Sequence, residues 1–451
     1  MTVIMKSIKH ITLVVAIVAV VLGVSSCATA GAQGSEAGRE DRSSEAGRTK
    51  IAELDGIDPA LVQVAKATGK EYADEVRRLN LYGTPVEDLS GIGRFPGVEW
   101  LRLQGLALDP AELRALAGLE KLETLVVIDV GLESVDPLPV LPALRRLYLG
   151  YNELSDVGEI AAALEDMPEL RYLSLDGNDL GELRELRRLS QLTGLSVNRM
   201  EIESLDWVEV LPKLESLSLF SNKVDSLAPL AEYEKLHTIS AAANPLTDIA
   251  ALEGKARLRR VNLDYTAVED ISPLASAEGL RSFSARRTKI RDISALEGKS
   301  RLWSVTLGGS NVRSLAPLQG LERLNRLDLR GNRAAAAEVL PLLRQLRADG
   351  CFQSNNALIN VEELGLDFSK PENYRFMQRL REEGIEVSYR KGNVPPGEDA
   401  DTGKEAPAFT MLDQRGREVS LEQLEGSYLY VQVSAEWCGY CHTQAEYFEK
   451  F

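Results

Sequence analysis

The chain has 451 residues, 44% of them apolar and 27% charged, so most of it can fold, and its length allows two or three domains. Its formal charge of −16 argues against nucleic acid as a partner, because phosphates call for a basic surface. With 3 histidines in the whole chain a histidine-rich metal site is not expected, nor is a cofactor. The 4 cysteines, Cys27, Cys351, Cys438 and Cys441, are too sparse to staple a fold of this size, so each has its own reading.

Lys6 and Lys9 precede a nearly unbroken apolar run over 11–24. A spanning helix needs about 20 apolar residues, so the run is short for one and suits the core of a signal peptide. It ends in Val24-Ser25-Ser26-Cys27. This resembles the signal of bacterial lipoproteins, in which an aliphatic residue and small residues precede a lipidated cysteine. Ser26 departs from the commoner Gly or Ala. The resemblance implies removal of 1–26 and acyl chains on Cys27. Ala28 in place of Asp implies the outer membrane in a Gram-negative cell. The expected location is the bacterial cell envelope, at the outer membrane or cell surface, with the periplasmic side also open. An uncleaved helical anchor is the competing reading. Residues 27–50 are rich in Gly, Ser, Glu and Arg without apolar periodicity, and read as a flexible tether.

The middle of the chain repeats itself. Leu144-Arg-Arg-Leu147-Tyr-Leu149-Gly-Tyr-Asn152-Glu-Leu154 and Leu170-Arg-Tyr-Leu173-Ser-Leu175-Asp-Gly-Asn178-Asp-Leu180 share the template L-x-x-L-x-L-x-x-N-x-L, the signature of leucine-rich repeats. The second aliphatic recurs at Leu79, Leu101, Leu125, Leu147, Leu173, Leu195, Leu217, Ile239, Val261, Phe283, Val305 and Leu327, mostly at steps of 22 with one of 24 and one of 26. About twelve units therefore occupy 76–335. Each L-x-L is a short strand with leucines inward, and no unit buries its apolar face alone, so neighbours stack into a parallel concave sheet. The expected fold class is an α/β solenoid of horseshoe shape.

The ninth template position carries Asn152, Asn178, Asn222, Asn244 and Asn332, whose buried amides can bond turn backbone. Thr84, Thr266, Thr288 and Ser310 can do part of this; Leu106, Val130 and Met200 cannot, and looser turns are expected there. Asp248-Ile249-Ala250-Ala251-Leu252, Asp270-Ile271-Ser272-Pro273-Leu274 and Asp292-Ile293-Ser294-Ala295-Leu296 resemble the internalin-like 22-residue class. That resemblance implies short 3₁₀ turns on the convex side, in keeping with the little room that 22 residues leave. A helical N-terminal cap is expected over 51–75 and a C-terminal cap over 336–390. In the latter, helix–Gly–strand occurs twice, with stops at Gly350 and Gly384. Val361-Glu-Glu-Leu364-Gly-Leu366 reads as a degenerate thirteenth unit, and Cys351 as a buried structural thiol.

Twelve strands about 4.8 Å apart give a concave sheet roughly 50 Å long. The residues beside the inward leucines include Trp100, Arg146, Tyr148, Tyr172, Phe220, Arg260, Tyr265, Arg286 and Arg287, with Tyr151 and Arg330 alongside. Aromatics and Arg are enriched at protein interfaces, so these positions are the candidate site for a protein or peptide partner. A solvated face with scattered aromatics is the alternative. Ser196, Ser218, Ser240, Ala242 and Ala243 leave the middle units small, which divides the candidate surface into two patches.

After a Pro/Gly/acid linker over 391–405 the pattern changes. Ala406-Pro407-Ala408-Phe409-Thr410, an apolar strand over 428–433 and Trp437-Cys438-Gly439-Tyr440-Cys441-His442 resemble the opening of redoxin-type thioredoxin-like domains, exported thiol–disulfide oxidoreductases. A strand would deliver Cys438 to a helix N-terminus, where the dipole favours the thiolate, and Cys441 one turn on would resolve the mixed disulfide. Tyr440 replaces the Pro frequent there, which alters the expected potential. His442 either tunes the thiols or is an exposed helix residue. Zinc is the competing reading of the pair, but two thiols are half of a structural ligand set. The family fold continues beyond what 406–451 supplies, so an incomplete thioredoxin-like segment is expected, and enzyme activity stays open.

Overall fold

The computed structural model describes residues 48–332, 335–354, 356–368 and 370–389, and the backbone of 410–412 and 418–420. Residues 41–398 form the larger of two compact units. Its strands are β1 (Arg78–Asn80), β2 (Trp100–Gln104), β3 (Thr124–Ile128), β4 (Arg146–Tyr148), β5 (Tyr172–Ser174), β6 (Gly194–Ser196), β7 (Ser216–Ser218), β8 (Thr238–Ser240), β9 (Arg260–Asn262), β10 (Ser282–Ser284), β11 (Ser304–Thr306), β12 (Arg326–Asp328), β13 (Leu358–Asn360) and β14 (Glu386–Ser388). They lie side by side in chain order in one parallel sheet. The twelve aliphatic or aromatic residues from Leu79 to Leu327 stand in register as the second residue of each strand, each no more than 2% exposed. Burying such a side chain stabilises the stack by about 1.5–3 kcal/mol.

The step between these residues sets what fits on the convex side. Units of 22 residues carry 3₁₀ turns such as Ala250–Leu252 and Ser294–Leu296. The step of 24 after Leu101 holds the longer 3₁₀ stretch Pro110–Gly118, and the step of 26 after Leu147 holds an α-helix, α2 (Val157–Leu164). The Asp of the Asp-Ile-x motif starts each short turn: Asp248, Asp270 and Asp292 accept from the backbone N–H of Ala250, Ser272 and Ser294 at 2.8, 2.7 and 2.8 Å.

Both ends are covered. Helix α1 (Pro59–Ala67) begins at Asp58, which accepts from Ala60 N at 2.8 Å, and buries Leu61 and Ala65. Arg48 pairs with Asp74 and Glu75, and Lys50 bridges to Tyr72, so the cap takes in both basic residues. At the other end α3 (Ala336–Ala348) and α4 (Pro371–Glu382) precede β13 and β14, so residues 336–389 lengthen the same sheet with two helical units. Gly350 and Gly384, both at φ +85°, end these helices in the left-handed region that favours glycine. Cys351 is buried and donates to Leu321 O at 2.7 Å; burial pushes its thiol up.

In the other unit, β15 (Thr410–Leu412) pairs antiparallel with β16 (Glu418–Ser420). Cys27, Cys438, Cys441 and the strand expected over 428–433 lie outside the described residues. Among the described residues no helix is long and apolar enough to cross a membrane.

Candidate functional site

Alternate residues of a strand face opposite ways, so the neighbours of each buried centre project from the concave surface. Just beyond each strand the chain turns sharply. At Asp129, Tyr151, Arg199, Ser221, Ala243, Tyr265 and Arg287 it does so with φ between 49° and 58°, and glycine takes the equivalent place at Gly177 and Gly309. Next comes the Asn position. Asn222 accepts from Met200 N and Ile202 N at 3.0 and 3.1 Å and donates to Val197 O and Leu219 O at 2.8 and 2.9 Å. Asn152 does the same for Val130 N, Leu132 N, Val127 O and Leu149 O. The turns at Val130 and Met200, expected to be loose, are thus tied by the Asn of the following unit. Thr266 makes the single bond expected of it, to Leu263 O at 2.7 Å.

This scaffold positions an aromatic shelf. Tyr148 on β4 and Tyr172 on β5 meet with ring centroids 5.1 Å apart at 42°. Glycine makes room for it in the next unit: a Cβ on Gly194 would stand 2.6 Å from the Tyr172 ring, and one on Gly177 2.8 Å from the Tyr151 ring. Tyr151 itself is 47% exposed. Burial pushes the Tyr172 phenol well above its ordinary value and raises Tyr148 and Tyr151 as well.

A second cluster lies across β9–β12. Arg286 Nε is 3.5 Å from Asp328 Oδ2 and 4.0 Å from Asp264 Oδ2, without hydrogen-bond geometry to either. Arg330 Nη2 is 3.4 Å from Asp328 Oδ2, and the Arg287 guanidinium lies 5.7 Å from the Tyr265 ring centroid. Burial raises the Asp328 carboxyl against the pull of Arg330 and Arg286. Trp100 and Phe220 stand apart from both groups, whereas Arg146 pairs in register with Tyr172 beside the shelf and Arg260 begins β9 at the edge of the arginine cluster. Trp100 has the Arg78 guanidinium over its ring at 4.4 Å, Phe220 has Arg199 at 5.6 Å, and Arg146 and Arg260 are exposed on β4 and β9.

Sequence reasoning passed over a polar column beside these groups. Asp176 accepts from Ser196 Oγ and Asn198 N at 2.7 and 2.8 Å; Asn198 accepts from Ser218 Oγ and Phe220 N at 2.8 and 2.6 Å; Asp264 accepts from Ser284 Oγ and Arg286 N at 2.6 and 2.7 Å. The readable signal was Asp or Asn with Ser twenty residues later, at a column spacing of 22. Among the described residues no group of three His, Cys, Asp or Glu is placed to hold a metal. The described surface carries angled aromatic rings, guanidinium groups and hydroxyls on one parallel sheet.

Comparison with solved structures agrees with the geometry. An internalin of Listeria monocytogenes aligns over 77% of this chain and 98% of its own, with a TM-score of 0.54 and 22% identity. The solenoid has the leucine-rich-repeat fold. A leucine-rich-repeat protein of Leptospira interrogans aligns over 72% of this chain and 98% of its own at a TM-score of 0.46 and 18% identity. In sequence, acidic leucine-rich nuclear phosphoprotein 32-related protein 2 of Caenorhabditis elegans is 40% identical over 60 residues, which is 13% of this chain and 27% of that protein's length. Residues 402–451 match the AhpC/TSA family model.

Proposed function

We propose that this protein is an exported, lipid-anchored leucine-rich-repeat protein that holds a protein or peptide partner on its concave face. The observation that carries this reading is the shelf of Tyr148, Tyr151 and Tyr172, whose rings are seated over glycines of the neighbouring units on a rigid sheet while Tyr151 stays 47% exposed. Aromatic anchors on rigid scaffolds are the usual energetic centre of a protein interface. The test is affinity capture with the full chain beside a Tyr148→Ala/Tyr172→Ala variant of unchanged circular dichroism. The partner is expected to be lost from the variant; undiminished capture would move binding off this face. Anchoring through Cys27 is checked by labelled palmitate, whose incorporation should vanish in Cys27→Ser.

The AhpC/TSA match supports a second reading, a thiol–disulfide oxidoreductase with the repeats selecting its substrate. The Cys438 thiolate would attack a substrate disulfide and release one substrate thiolate. The Cys441 thiolate would then displace the second, leaving a Cys438–Cys441 disulfide and a substrate reduced by two electrons. Insulin reduction by the full chain, lost in Cys438→Ser/Cys441→Ser, is the expected result of this reading; equal rates in both would remove it.

A further inference from the structure

One stretch of the concave face is rich in arginine. The whole chain carries −16, yet the outward positions of β9–β12 and the turns after them hold Arg260, Arg286, Arg287, Arg326 and Arg330 against Asp264 and Asp328. Both carboxylates are engaged inside the protein: Asp264 accepts from Ser284 Oγ and Arg286 N, and Asp328 sits, 6% exposed, against Arg286 and Arg330. Over β9–β12 and the turns after them arginine outnumbers carboxylate by five to two, and Glu363 of the following turn reaches toward Gly331. All five cations are Arg, whose planar fork matches a carboxylate with two parallel bonds, which the Lys ammonium does not do.

Between this cluster and the tyrosine shelf the sheet is low. The outward strand positions of β6, β7 and β8 are only Gly, Ser and Thr, and the bulk in this stretch is Phe220 just after β7, with the Arg199 guanidinium over its ring. Tyr172 on β5 and Arg286 just after β10 are five strand spacings apart, roughly 24 Å. An extended chain covers that in about seven residues at ~3.3 Å each. The two tyrosine rings meet at 42°, so together they present an angled edge rather than a flat platform for a sugar.

We infer that the partner presents an extended acidic segment, with a bulky apolar residue at Tyr148 and Tyr172 and a pair of carboxylates about six or seven residues away at Arg286 and Arg287. This rests on the concave-face reading above. It deepens that reading by fixing the chemistry and spacing of what is held.

Fluorescence anisotropy of the full chain with labelled twelve-residue peptides tests it. In a Gly/Ser background one peptide carries Trp followed six residues later by Glu-Glu, and a second carries the reverse order. One of the two is expected to bind at low salt. Changing its Glu-Glu to Gln-Gln, or halving the spacing, should weaken it by about tenfold or more, and high salt should do the same. Arg287→Glu, a change at an exposed side chain, should transfer the preference to a Lys-Lys peptide; Arg286→Gln should weaken the acidic peptide. Equal binding of the Glu and Gln peptides, or indifference to both arginine variants, overturns the inference. So does binding of heparin with neither peptide order bound, which would assign the face to an acidic polysaccharide. If Tyr148→Ala/Tyr172→Ala abolishes peptide binding while charge makes no difference, the acidic partner falls and the concave-face reading stands. If no variant on this face changes binding, both fall.

Discussion

Asn222 alone satisfies four backbone groups that the sheet leaves unpaired. Each buried group left without a partner costs about 1–3 kcal/mol, so Asn222→Ala should lower stability by about 3–5 kcal/mol and Asn222→Thr by less, as urea unfolding would show. An equal loss for Ala and Thr would mean that packing, not the bonds, matters there. This role was legible, because a small polar residue recurring at one point of an aliphatic repeat has only turn backbone to serve. Lys255 and Lys299 were not legible. They fill a column held elsewhere by Phe95, Leu119, Leu141, Met167, Leu189 and Leu211, yet are 2% and 5% exposed. Each reaches back to carbonyls of the preceding unit, Lys255 Nζ to Ala231 O at 2.7 Å and Lys299 Nζ to Ala275 O at 2.9 Å. Burial holds both ammonium groups below their ordinary value. Below that depressed folded value the amine is charged in both states and the whole burial cost stands; it fades as pH rises through the folded value toward about 10.5. Lys255→Met should therefore raise the melting temperature at neutral pH, by about 1 kcal/mol in stability, and the gain should shrink near pH 10. A destabilised Met variant would show that the carbonyl bonds outweigh desolvation.

At the scale of the element, the spacing of aliphatic residues named the buried residue of each repeat strand and its register, because a slip by one residue would turn every leucine outward. The short 3₁₀ turns expected on the convex side give way to α2 in the longer step after Leu147, a helix the repeat reading did not assign. Spacing does not reveal what lies across two strands. Glycine at a strand position reads as a weak spot, yet Gly194 is where the Tyr172 ring lies down on β6. Gly194→Val should lift that ring into solvent, and the phenol, now held high by burial, should return toward the ordinary value near 10. Ultraviolet titration would then count one more tyrosine in the normal range, and capture of the partner should weaken in parallel. An unchanged titration curve would mean that the ring and the introduced valine coexist, and that the glycine is incidental.

At the scale of the whole solenoid, each unit touches only its neighbours, so stability is a sum of unit and interface terms rather than a property of one centre. Phe283 and Phe368 make the contrast measurable. Both are 0% exposed, Phe283 at the centre of β10 and Phe368 in the last unit, where it packs on Tyr374 and Tyr389 with ring centroids 6.2 and 5.2 Å apart. Truncating either to Ala leaves a similar cavity, worth about 3–5 kcal/mol. In a linear array the consequences differ. Phe368→Ala should speed amide hydrogen exchange in β13, β14 and α4 while leaving β1–β5 as protected as before, since the end can open alone. Phe283→Ala weakens the stack on both sides at once and should raise exchange from β9 to β12, across the arginine cluster as well. If Phe368→Ala instead accelerates exchange evenly from β1 to β14, the units open as one cooperative body. The two halves of the concave face would then be coupled through the fold itself.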